Sequence, residues 1–96
     1  RARRAGARLT EELLTVAGVA SVRGLGLLLG VELADGLDAR EVAADALARG
    51  LVVNAVTPTA LRLAPSLLVS DEEITRAVQL IAAALHARLD QPEDAP

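Results

Sequence analysis

The sequence predicts one α+β domain, a small and largely antiparallel sheet with helices packed on one face, in the order α-β-β-α-β-β-α. Three observations predict it. Apolar residues recur at helical spacing near both ends and in the middle of the chain, short β-type runs come in adjacent pairs, and two capping boxes mark helix starts. The length allows a single core, because 96 residues bury only about 60–65% of the surface that the unfolded chain exposes. That core is built from small aliphatic side chains: 52% of residues are apolar, yet Phe, Tyr, Trp, Met and Cys are all absent.

The first helix is predicted over residues 2–17, where Ala5, Leu9, Leu13 and Val16 share a stripe and Gly18 supplies the stop. Residues 19–23 and 27–33 follow as a hairpin, with Gly24-Leu25-Gly26 as its tight connection. In the second strand Leu27, Leu29, Val31 and Leu33 take one face, and Leu28, Gly30 and Glu32 the other. Asp38-Ala39-Arg40-Glu41 reads as a capping box with Asp38 accepting from the Glu41 amide, and Leu37 and Val42 form its hydrophobic staple. This second helix buries Val42, Ala43, Ala46 and Leu47 and stops at Gly50. Residues 51–55 and 60–64 are short strands separated by Thr57-Pro58-Thr59, with Pro65 closing the second. Ser70-Asp71-Glu72-Glu73 repeats the capping box, with Val69 and Ile74 as staple, and opens a last helix that buries Ile74, Val78, Ile81 and Leu85 and runs to about Leu89. Residues 90–96 are acidic, contain proline and are expected to be disordered.

Composition excludes several chemistries from these residues. Without Cys there is no disulfide, thiolate or Cys-based zinc site. All ten basic residues are Arg, so Schiff-base and amine-nucleophile chemistry needs a lysine from elsewhere. A net charge of −3 with no aromatic side chain to stack on bases argues against nucleic acid as a partner. No run reaches the roughly 18–20 apolar residues that cross a bilayer, and no signal-peptide h-region is present, so a cytoplasmic location without membrane contact is expected. The chain begins at Arg1, inside a helical pattern and without a methionine, and is expected to be a piece of a longer protein.

Few residues qualify for a site. Gly24, Gly26 and Gly30 are spaced G-x-G-x-x-x-G and lead into a strand, which lacks the helix N-terminus of a phosphate-binding turn. His86, the only histidine, sits near the end of the last helix, where a cation complements the helix dipole, and no nucleophile motif accompanies it. Arg1, Arg3, Arg4 and Arg8 fall on more than one helix face and read as a solvated surface. Arg62 is different, being the only charged residue between Arg49 and Asp71 and pointing opposite to Leu61 and Leu63. Such a guanidinium either faces solvent from an open sheet or meets an anion, because unpaired burial is too costly.

Four segments in order carry a family resemblance: Val22-Arg23-Gly24-Leu25-Gly26-Leu27-Leu28-Leu29-Gly30-Val31-Glu32, Gly50-Leu51-Val52-Val53-Asn54-Ala55, Leu61-Arg62-Leu63-Ala64-Pro65 and Val69-Ser70-Asp71-Glu72-Glu73-Ile74. Together they closely resemble the C-terminal small domain of class III pyridoxal-phosphate aminotransferases, enzymes of fold type I, over about residues 1–88. Ser66 departs from the family's usual second proline. The resemblance implies that residues 1–89 are that small domain, that Arg62 binds the α-carboxylate of glutamate or 2-oxoglutarate, and that pyridoxal phosphate is held mainly by a large domain upstream. It places no catalytic, cofactor-binding or metal-binding residue in these 96. The implied partners are amino-acid and 2-oxo-acid substrates, the chain's own large domain and a second copy in a homodimer. Asn54-Ala55 ahead of the Arg62 motif is most similar to the branch that transfers the terminal amino group of N-acetylornithine to 2-oxoglutarate in arginine biosynthesis. Ornithine, succinylornithine, succinyldiaminopimelate and 4-aminobutyrate are the alternative donors. A non-catalytic regulatory or assembly module is the alternative from another class.

Overall fold

A computed structural model describes residues 2–25, 28–65, 68 and 70–89. The elements follow the expected order: α1 (Ala2–Leu13), β1 (Val19–Leu25), β2 (Leu28–Leu33), α2 (Ala39–Ala48), β3 (Asn54–Thr57), β4 (Ala60–Leu63) and α3 (Asp71–Leu89). The four strands form one sheet in the order β1-β2-β4-β3, antiparallel at every pairing. Helix α1 lies against β1 and β2, α2 against β3 and β4, and α3 packs on both helices. One cluster joins Leu29, Val31, Leu33, Leu61 and Leu63 of the sheet to Leu9, Leu13, Val42, Ile74, Ile81 and Leu85 of the helices. The opposite sheet face, which carries Arg23, Glu32, Asn54 and Arg62, is exposed among the described residues.

Several boundaries differ from the expected ones, each for a local reason. Helix α1 ends at Leu13 and not at residue 17. The Thr15 amide and hydroxyl both donate to the Glu12 carbonyl, at 3.1 and 2.7 Å, and the Val16 amide donates to Leu13, which tightens the last turn into i→i−3 bonding. Gly18 is the residue at which the chain turns back, with φ of +100°; an added Cβ would stand 3.3 Å from Leu37 and 3.4 Å from Leu85. In the hairpin, β1 continues through Gly24 and Leu25, and Leu25 pairs with Leu28. The predicted connection residues Gly24 and Leu25 are therefore part of β1, and Gly26, with Leu27, lies outside the described residues. Leu29, Val31 and Leu33 are buried as expected, and Glu32 is exposed.

Asp38 caps α2, but its carboxylate accepts from the Arg40 amide at 2.9 Å. The Glu41 amide instead donates to the Asp38 backbone carbonyl. Either of these first-turn amides can be satisfied by a cap side chain. Leu37 and Val42 are both buried, whereas Leu47 is 60% exposed, contrary to expectation. At the other end the Leu51 amide donates to Ala46 at 2.9 Å and the Gly50 amide to Leu47 at 2.9 Å, with Gly50 at φ +103°. That pair of bonds is a Schellman closure, and it engages Leu51 in ending the helix. Strand β3 consequently starts at Asn54, three residues after the expected residue 51.

Ser70 caps α3 as expected, its hydroxyl oxygen accepting from the Glu73 amide at 3.1 Å. Ile74, Ile81 and Leu85 are buried, and Val78 is half-buried against the core. Val69, the departure at Ser66 and the expected tail over residues 90–96 lie outside the described residues. Among the described residues no helix is long and apolar enough to cross a membrane.

Candidate functional site on the open sheet face

Antiparallel register decides which side chains share the open face. Arg23 of β1 pairs with Gly30 of β2, Gly30 with Arg62 of β4, and Arg62 with Asn54 of β3. These four residues form one row across all four strands, and the side chains of Arg23, Arg62 and Asn54 point away from the helices because Val31, Leu61 and Leu63 point toward them. The next row is Ser21, Glu32, Ala60 and Thr57. Ser21, Arg23, Gly30, Glu32, Thr57 and Ala60 line a shallow groove on this face.

Arg62 thus stands near the middle of the sheet with little around it. Its neighbour across β2 is Gly30, and its same-face neighbours along β4 are Ala60 and Ala64. Arg62 is exposed, and its side chain makes no ion pair or hydrogen bond among the described residues. Its flanks carry at most a methyl group on three sides, so a planar ligand can reach the guanidinium edge. Such an edge offers paired N–H donors to a carboxylate. Arg23, exposed and likewise without an ion pair among the described residues, adds a second positive charge beyond Gly30.

Other arginines are used differently. Arg8 of α1 donates to Glu12 at 2.6 Å and to the Thr75 hydroxyl of α3 at 2.7 Å, and stands 3.0 Å from Asp71. The Glu12 hydrogen bond raises its pKa further, against an opposing effect of burial. Arg8 therefore fastens α1 to α3, a role that its membership in an arginine-rich surface concealed. Asp45 of α2 accepts from Arg49 at 2.7 Å and from Arg88 of α3 at 2.7 Å. The Arg49 hydrogen bond holds the Asp45 carboxyl below its ordinary range, with desolvation opposing. The Arg88 Nε is buried without a hydrogen-bond acceptor, and the Glu41 carboxylate lies 4.0 Å away. These clusters tie helices together on the side of the molecule remote from Arg62.

His86 is exposed on α3, beside Thr15, Val16, Ala82 and Ala83. Among the described residues no group of three or more His, Asp or Glu side chains is placed to hold a metal ion. The chain contains no lysine, so nothing in it fits the imine link of a pyridoxal cofactor. Among the described residues, the open face offers an anion the guanidinium groups of Arg23 and Arg62.

The chain and its fold are similar to known proteins. Residues 1–85 match the family described as aminotransferase class-III. The chain is 44% identical over 82 residues to an acetylornithine aminotransferase of Corynebacterium efficiens, covering 85% of this chain and 20% of that protein. It is 43% identical over 63 residues to the acetylornithine aminotransferase of Caldanaerobacter subterraneus, covering 66% of this chain and 16% of that one. Among solved structures, N-acetylornithine aminotransferase from Stenotrophomonas maltophilia K279a superposes with a TM-score of 0.79 at 26% identity, covering 93% of this chain and 26% of that one. Ornithine aminotransferase from Toxoplasma gondii gives 0.75 at 27% identity, covering 95% and 23%. The chain thus spans about a fifth of the length of the relatives it matches.

Proposed function

Because the chain belongs to the class III aminotransferase family, we propose that residues 1–89 are the C-terminal small domain of an enzyme that transfers the terminal amino group of N-acetylornithine to 2-oxoglutarate. Class III aminotransferases work with pyridoxal phosphate, which supplies the electron sink for chemistry at the carbon bearing the amine. The lysine that anchors it must come from outside these residues, since they contain none. The part contributed here is carboxylate binding by Arg62.

The observation that carries this reading is the place of Arg62. It occupies the second position of Leu61-Arg62-Leu63-Ala64-Pro65, on the open sheet face, flanked by Gly30, Ala60 and Ala64 and unpaired among the described residues. A guanidinium stays charged at any working pH and grips a carboxylate through two parallel hydrogen bonds. Held in this way, the α-carboxylate of glutamate or 2-oxoglutarate fixes the position of the reacting carbon. The strand fixes the arginine in turn, since Leu61 and Leu63 on either side are buried in the core. A cytoplasmic homodimer of the full-length enzyme is the setting proposed for this site.

The similarity to acetylornithine aminotransferases from several bacteria favours N-acetylornithine as donor over ornithine and the other amines of the family. Measuring kcat/KM of the full-length enzyme for N-acetylornithine, ornithine, N-succinylornithine and 4-aminobutyrate, each with 2-oxoglutarate, tests it. The reading requires N-acetylornithine to rank first. A donor other than N-acetylornithine at the top would replace the assigned substrate, and absence of transamination with every donor would support a non-catalytic module.

A further inference from the structure

We propose that Asn54 is a second binding residue for the carboxylate held by Arg62, donating a side-chain amide N–H to the carboxylate oxygen. The inference rests on the assignment of Arg62 made above. Asn54 is the residue directly opposite Arg62 across β3 and β4, where facing side chains have Cβ atoms about 4.5–5.5 Å apart. Both are exposed on the open face, and the side chain of Asn54, like that of Arg62, makes no hydrogen bond or ion pair among the described residues. Around the guanidinium the other same-face neighbours are Gly30, Ala60 and Ala64, none of which carries a polar side-chain atom. Among the described residues, Asn54 is therefore the one directly adjacent side chain on the sheet that can add a donor.

The chemistry favours an uncharged amide at this position. A carboxylate has about four lone-pair sites, and a bidentate guanidinium uses two of them. An amide N–H can take a third without neutralising the arginine. An acidic residue there would pair with the guanidinium and occupy the fork that the substrate needs. Placement on an edge strand also matters. Strand β3 carries a register shift between Ala55 and Thr57, and Asn54 precedes it, in regular pairing with Arg62.

The test uses the full-length enzyme with Asn54→Ala and Asn54→Asp, with Arg62→Ala for reference. For each, KM and kcat are measured with 2-oxoglutarate and the inhibition constant is measured with glutarate, an unreactive dicarboxylate. Losing one hydrogen bond to a charged group should raise KM for 2-oxoglutarate and the glutarate constant about tenfold in Asn54→Ala, with kcat within about twofold. Asn54→Asp should raise them further, about a hundredfold, because it competes for the guanidinium. Both variants should melt within a few degrees of the parent, since the side chain is exposed. If Asn54→Ala and Asn54→Asp bind 2-oxoglutarate and glutarate like the parent while Arg62→Ala weakens both, the inference about Asn54 is wrong and the assignment of Arg62 stands. If Arg62→Ala also binds them normally, the assignment beneath it fails as well. A loss in kcat with unchanged KM and glutarate binding would also overturn the inference.

Discussion

At the scale of single residues, Arg62 could be read from the sequence because it is the only charge in a long apolar stretch, and a lone guanidinium there needs either water or an anion. Its surroundings were not legible. That Gly30, Arg23 and Asn54 share its row depends on strand register, which pairwise contact between distant segments sets and local spacing does not. Arg8 was misread for a related reason, since its partner Thr75 lies 67 residues away. The caps were legible, because a capping box is a local bond pattern, although Asp38 satisfies the Arg40 amide and not that of Glu41. Ser70→Ala should therefore cost about 1 kcal/mol of stability, read as a shift of the urea midpoint with unchanged slope. Asp45 gives a pH prediction. Its carboxyl is held below its ordinary range when folded, so its contribution is fully present above the unfolded value of about 3.9 and is lost as pH falls through the lower folded value. Unfolding titrations from pH 7 down to pH 2 should show a shallower acid limb in Asp45→Asn than in the parent, and parallel limbs would remove Asp45 from the acid response.

At the scale of elements, type and order were legible and ends were not. Apolar periodicity is a property of many residues at once and survives local exceptions. Ends are decided by one or two hydrogen bonds, such as Thr15 to Glu12 at the close of α1 and Leu51 to Ala46 at the close of α2. The second of these moved β3 three residues along the chain. Leu47 illustrates the same limit, because it falls on the expected apolar stripe of α2 yet is 60% exposed where no element covers it. A buried and an exposed aliphatic residue should therefore respond differently to substitution. Ile81→Ala, at 0% exposure, should cost about 2–5 kcal/mol through lost burial and a cavity between helices. Leu47→Gln should stay within about 0.5 kcal/mol. Chemical unfolding of both variants checks the contrast, and equal losses would mean that Leu47 is covered.

At the scale of the whole molecule, the fold divides labour between two faces of one sheet. Alternation along β2 and β4 sends Leu29, Val31, Leu33, Leu61 and Leu63 into the core and leaves Gly30 and Arg62 outside. The proposed binding row can then stand on the sheet without interrupting the core, which contains no buried polar or charged residue among those described. The absence of lysine sets the limit of what these residues do alone. The 96-residue chain, mixed with pyridoxal phosphate, N-acetylornithine and 2-oxoglutarate, should show no transamination above the free-cofactor rate; turnover above that rate would contradict the division. The central claim, that Arg62 binds the α-carboxylate of the glutamate and 2-oxoglutarate pair, distinguishes the two half-reactions. N-acetylornithine presents its terminal amine and keeps its own carboxylate farther from the reacting carbon. The most direct measurement is single-turnover kinetics of each half-reaction in the full-length enzyme with Arg62→Ala. The account predicts a fall of at least about ten- to a hundredfold for glutamate, a smaller fall for N-acetylornithine, and partial recovery with Arg62→Lys. Unchanged glutamate kinetics in a correctly folded Arg62→Ala enzyme would contradict it and return Arg62 to a solvated position on an open sheet.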